Sequence, residues 1–141
     1  MTIAALGVAH VRLTVTDIAR SRAFYEQVLG FTPVLQVPAD ADSATREALG
    51  FLFGGVLYRV GGAMIGLRPV ASQTDRFDED RVGLDHLCFS VAARAELDAA
   101  CQTLEAHGVP HGGVKDIGRG GFILEFRDPD GIALELSAPA G

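Results

Sequence analysis

The chain has 141 residues, 48% of them hydrophobic, enough for one well-packed core and too few for two domains of ordinary size. Its 12 Lys and Arg are outnumbered by 18 Asp and Glu, a formal net charge of -6, and the cations are scattered singly, so no basic stripe exists to neutralise a nucleic-acid backbone. The start "MTIAALGVAH" has no basic leader before a long apolar core, no apolar run reaches bilayer-spanning length, and Cys88 and Cys101 lack metal or disulfide spacing; a soluble, cytoplasmic protein with reduced thiols is expected.

The first element, "VAHVRLTV" at 8–15, alternates strictly: Val11, Leu13 and Val15 point one way, His10, Arg12 and Thr14 the other, which predicts a β-strand. Polar groups in single file either wet the open face of a half-solvated sheet or line a pocket. "DIARSRAFYEQVLG" at 17–30 predicts a helix, with Asp17 as its cap, Phe24 and Val28 on one face, and Gly30 at the left-handed stop. The polar segment 38–50 predicts a loop or short helix. Gly61-Gly62 predicts a hairpin turn into the strand "GAMIGLRP" at 62–69, and the polar segment 71–83 a connector.

The second half repeats this plan. "LDHLCFSV" at 84–91 aligns without a gap with 8–15, pairing His10 with His86 and Thr14 with Ser90. "RAELDAACQTLEAHG" places Leu97, Cys101 and Leu104 on one helix face and stops at Gly108, so the two helices are expected to match in length and punctuation. The turn "DPDG", Asp128 to Gly131, opens the strand "GIALELSAP", in which Gly131 meets Gly62, Leu136 meets Leu67 and Glu135 meets Gly66. Each half thus reads β-α-β-β-β, an α+β chain of tandem βαβββ modules at 6–70 and 84–138 within a single domain, 1–141.

Placed on faces, the polar sets are His10, Arg12 and Thr14, then His86, Cys88 and Ser90, then Ala133, Glu135 and Ser137; Ile132, Leu134 and Leu136 form an apolar set. A pseudo-twofold axis between halves would gather His10, Gly66, His86 and Glu135 about one centre. Three of these four can ligate a metal. Two imidazoles and one carboxylate suit a divalent Fe, Mn, Ni, Co or Zn ion and leave coordination positions open, as catalysis requires. A lone strand histidine is more often a satisfied core residue than a ligand, but two at equivalent positions with a carboxylate each need a buried partner, and one shared cation serves all three.

The tandem modules with "HVRLTV", "DHLCFSV" and "FRDPDGIALEL" resemble the vicinal oxygen chelate superfamily, which includes glyoxalase I, extradiol dioxygenases, and fosfomycin- and bleomycin-resistance proteins. The resemblance implies a curved mixed sheet around a central metal-binding cavity, with His10, His86 and Glu135 on the family's first, third and fourth ligand positions. Gly66 departs from it: glyoxalase I typically has Glu or Gln there, and methylmalonyl-CoA epimerase Gln. The His-His-Glu set is similar to the dioxygenase and fosfomycin-resistance branches. Three protein ligands on iron leave places for two vicinal substrate oxygens and for dioxygen. Iron-dependent oxygenation of a small anionic substrate is the leading expectation, against an oxygen-independent glyoxalase-like lyase or isomerase, or a metal-free drug-binding module.

Glu125 precedes Glu135 by the interval that separates a tyrosine from the Glu ligand in extradiol enzymes. If the "DPDG" hairpin pairs the two, Glu125 is the candidate proton-transferring base; otherwise it pairs with an arginine or faces solvent. Arg12 and Arg68 share the polar face and are candidate contacts for an anionic substrate, with an internal Arg12–Glu125 ion pair as the alternative. Cys88 contacts substrate or fills a small core space. His107 suits the dipole at its helix end, and neither it nor His111 is given a catalytic role. Relatives in the family commonly dimerise, so a homodimer acting on a small molecule, with no nucleic-acid or membrane partner, is expected.

Overall fold

Alternation survives as a two-faced edge strand, β1 (His10–Thr14): Leu13 and the following Val15 are buried, whereas His10 and Thr14 are exposed. The computed structural model describes residues 1–140, and the chain divides into two compact units, Met1–Thr74 and a second that begins at Asp75, within the predicted connector. In the first unit β1 runs parallel to β4 (Ala63–Arg68), and antiparallel β3 (Val56–Val60) and β2 (Pro33–Gln36) extend the sheet in the order β1-β4-β3-β2. The second unit has β5 (Leu87–Ser90), β6 (His111–Gly118), β7 (Gly121–Arg127) and β8 (Ala133–Pro139), in the corresponding order β5-β8-β7-β6. Duplication extends to register, since Arg12 faces Gly66 in one parallel pair and Cys88 faces Glu135 in the other.

The helices share a left-handed glycine stop but neither their starts nor their shape. α1 (Ile18–Ala23) begins at Asp17, whose carboxylate accepts the Arg20 N–H at 3.0 Å, and the segment ends at Gly30 with φ 70°. Between them the chain widens into a π-helical turn, Phe24–Val28, closed by the Leu29 N–H on the Phe24 carbonyl at 3.3 Å. Its buried Tyr25 meets Phe31 and Tyr58 at ring-centroid distances of 6.0 and 6.4 Å, and aromatic packing accounts for the departure from the expected match. On the same turn Glu26 accepts from the Tyr58 hydroxyl at 3.0 Å and from Arg22 Nε at 2.7 Å. Burial, reinforced by that carboxylate, pushes the Tyr58 phenol well above its ordinary range.

The second unit's helix, α3 (Arg94–Ala106), is regular over 13 residues and starts at Ala93, whose N–H is satisfied by the Glu96 carboxylate at 2.9 Å. It buries Leu97 and Leu104 beside Leu124, Phe126 and Leu134 of the sheet, and Gly108 ends it at φ 67°. α2 (Ser43–Ala48) is the short helix foreseen in segment 38–50, capped by Asp42 on the Thr45 N–H. A two-residue turn at Gly61-Gly62 joins β3 to β4. At the matching corner the buried Asp128 carboxylate accepts the N–H groups of Asp130 and Ile132, each at 2.9 Å, and this turn sets the register of β7 on β8. Among the described residues no helix is long and apolar enough to cross a membrane.

Candidate functional site

That register places Glu125 directly opposite Glu135, as the hairpin reading predicts. Period two does the rest: Leu124, Phe126 and Leu134 turn towards α3, and Glu125, Arg127 and Glu135 turn to the other face. There they line a cavity of about 680 Å³ together with Asp85, His86, His111 and Gly112, within the size range of small-molecule sites.

His86 stands immediately before β5, and its Nδ1 is hydrogen-bonded to the Asp85 carboxylate. An ionised carboxylate only accepts, so Nδ1 carries the hydrogen and the Nε2 lone pair remains available, which is how a metal-binding imidazole is oriented. The Asp85 bond raises the pKa of His86 above its ordinary value; partial burial opposes it, and the charges on Glu135 and Glu125 add to it. An imidazole and a half-buried carboxylate in one cavity are donor types that suit a divalent ion. Among the described residues no group of three or more His, Cys, Asp or Glu is close enough to hold a metal. The second unit contributes two of the expected ligands, His86 and Glu135, and His10 belongs to the first, exposed on the polar face of β1.

The Glu125 carboxylate is ion-paired with Lys115, not with an arginine. Cys88 faces Glu135 across the parallel pair and is exposed, so it does not fill a core space. The thiol is nonetheless shielded enough that desolvation raises its pKa, with a Ser137 bond opposing and Glu135 adding, and it stays protonated at neutral pH. His111 accepts the Gly113 N–H at Nδ1, 3.1 Å away, and its Nε2 meets Glu105 at 3.3 Å, so both nitrogens are engaged. His107 is the C-cap of α3. Arg127 donates to Glu79 and, at 2.8 Å, to the Gly131 carbonyl; its hydrogen bonds hold the Glu79 carboxyl down at about 2.

In the first unit the residue equivalent to Glu135 is Gly66, and its neighbourhood is full. A Cβ there would lie 2.7 Å from Leu57 Cδ2 and 3.0 Å from Arg12 Cγ. The Arg12 guanidinium donates to the Phe51 carbonyl at 2.9 Å and the Leu52 carbonyl at 3.4 Å, in place of the ion pair considered for it. It therefore clamps the 3₁₀ turn Gly50–Leu52 and, through its stem, closes the space that a side chain at 66 would need. Arg68 lies 4.2 Å from the ring centroid of Phe53, a residue held at φ 54° just after that turn.

Asp85, Lys115 and the Arg127–Glu79 pair are site features that the sequence reading missed. Asp85 had a local signal, an acid adjoining a candidate ligand histidine. Gly112-Gly113 inside a strand signalled an irregular pairing. The long-range partners had none.

The model of the family described as "Glyoxalase/Bleomycin resistance protein/Dioxygenase superfamily" matches residues 7–136. The chain is 34% identical over 131 residues to the uncharacterized protein YaeR of Escherichia coli (strain K12), covering 92% of this chain and 93% of that one. It is 31% identical over 131 residues to virulence protein STM3117 of Salmonella typhimurium (strain LT2), covering 91% and 81% respectively. Among solved structures, a glyoxylase/bleomycin resistance protein/dioxygenase domain from Frankia sp. EAN1pec superposes with a TM-score of 0.75 at 30% identity, over 96% of this chain and 99% of that one.

Proposed function

Because this chain belongs to the Glyoxalase/Bleomycin resistance protein/Dioxygenase superfamily, we propose that it is a divalent-metal enzyme that takes a small anionic substrate by two adjacent oxygens and moves a proton on the neighbouring carbon. The observation that carries this reading is the pairing of Glu125 with Glu135 on the cavity that His86 also lines. His86 and Glu135 would contribute two of the ligands to Fe, Mn, Ni, Co or Zn. Such an ion, when bound, supplies positive charge for the oxygens on which negative charge develops. Glu125, ion-paired with the ammonium of Lys115, accepts the proton from carbon and returns it. The protonated Cys88 thiol offers a weak donor to a substrate oxygen. Arg12 acts in this reading by shaping the wall beside Gly66. The acting form is a homodimer.

Solvent exchange tests the reading without a known physiological substrate. Small 2-oxo and 2-hydroxy acids, hydroxypyruvate first, are incubated in D₂O under argon with protein loaded with each divalent ion, and loss of the C–H signal is followed by proton NMR. Metal-dependent exchange is expected, slowed about 10²- to 10⁴-fold by Glu125→Gln. No exchange with any acid and any ion defeats it. Iron-dependent oxygenation is the second reading, favoured by Gly66, which has no side chain to donate to an ion. Oxygen uptake by iron-loaded protein, with turnover abolished under argon, selects it instead.

A further inference from the structure

β6 departs from regular pairing where it passes Glu125. His111 lies opposite Phe126 and Val114 opposite Leu124, so Gly112 and Gly113 together face one residue, Glu125. This is a β-bulge, with Gly113 in the left-handed region at φ 72°. Two glycines leave that flank of Glu125 without a side chain. Lys115, opposite Ile123, reaches back across the gap, and its ammonium donates to Glu125 Oε2. Its chain fills the glycine space: a Cβ on Gly112 would lie 3.4 Å from Lys115 Nζ and 3.5 Å from Cε. The two side chains are 52% and 51% exposed, the kind of ion pair that adds little to stability.

We infer that Lys115 is a positioning residue for Glu125, an inference that rests on the proton-transfer reading above. Glu125 faces a second carboxylate, Glu135, across the ladder, and like charges directly opposite repel. Left to itself the Glu125 side chain turns away from Glu135 into solvent. The ammonium, a compact charge with three donors, holds one oxygen of Glu125 on the bulge side and leaves the other to take a proton over the cavity. Arg127 also lines the cavity but is committed to Glu79 and to the Gly131 carbonyl. The bulge is thus the device that brings a lysine alongside the base, as bulges beside active sites re-aim side chains.

The experiment compares the unaltered protein with Lys115→Met, Lys115→Arg and Glu125→Gln, each metal-loaded, using hydroxypyruvate exchange in D₂O and the ¹⁵N NMR signal of the ammonium of Lys115, the one lysine of the sequence. Lys115→Met is expected to lower the maximal exchange rate about 100-fold, the scale of a misplaced catalytic group, with KM little changed. Lys115→Arg restores most of the rate. Zinc stoichiometry is unchanged in both lysine variants. The ammonium spectrum shows one slowly exchanging resonance that disappears in Lys115→Met and in Glu125→Gln. Full exchange activity in Lys115→Met, or survival of that resonance in Glu125→Gln, overturns the role of Lys115 alone. If the unaltered protein exchanges nothing, the proton-transfer reading falls and this inference with it.

Discussion

At one point of a shared topology, the first unit carries Gly66 beneath Arg12, and the second carries Glu135 beside Cys88 on an open cavity. Backbone register is the same in both, so the difference lies in side-chain volume. In the first unit an arginine stem from β1 takes the space that a β4 side chain would occupy, and its guanidinium ties down the Gly50–Leu52 turn. In the second, the small Cys88 leaves room for a carboxylate. Repeated topology therefore does not carry repeated chemistry, because the side chains beside a position, here Leu57 and Arg12, decide whether it can present a ligand.

Five substitutions test that asymmetry. The largest effect belongs to the apolar faces: Leu67 is fully buried and its repeat partner Leu136 only partly so. Leu67→Ala is expected to lower unfolding free energy by about 2–5 kcal/mol and Leu136→Ala by clearly less, measured by urea denaturation. Equal losses would show that the two sheets bury their cores alike. Next comes Gly66→Gln, which forces a side chain against Leu57 and Arg12 and costs about 1–3 kcal/mol. Adding Arg12→Ala should recover part of that loss, and strict additivity in the double-mutant cycle would mean that Arg12 is not the obstacle. The mirror change, Glu135→Gln, is expected to leave the urea midpoint nearly unchanged while weakening zinc binding.

Helix starts differ as well. Asp17→Ala removes a cap worth about 1 kcal/mol, whereas Ala93→Asp supplies the cap that α3 lacks and raises the melting temperature. A loss from both changes would contradict the caps as described. The smallest effect is electrostatic and confined to the second unit. Arg127 depresses the Glu79 carboxyl from 4.5 to about 2, so the pair's contribution is complete above the ordinary value and disappears as pH falls through the lower one. Glu79→Gln should therefore lower the melting temperature slightly at pH 7 and progressively less as pH falls from the ordinary carboxylate value towards 2, followed by circular dichroism. A difference that does not shrink in acid rules out the ion pair as its source.

Much of the fold was legible in the chain because its signals are local. Alternation at residues 8–15, glycines at 30 and 108, and the turns at Gly61-Gly62 and Asp128–Gly131 act over a few bonds, and two aligned copies of the pattern define one topology twice. The pairing of Glu125 with Glu135 belongs with these, since a short turn converts sequence spacing directly into strand register. What tertiary structure alone decided is which distant group meets each charge. Arg12 finds carbonyls 39 and 40 residues away, Arg127 finds Glu79 across 48, and the π-helical turn answers to the packing of Tyr25 on Tyr58. Such choices turn on free volume and field at a particular point in space, where any residue of the chain competes, and no local period encodes the winner.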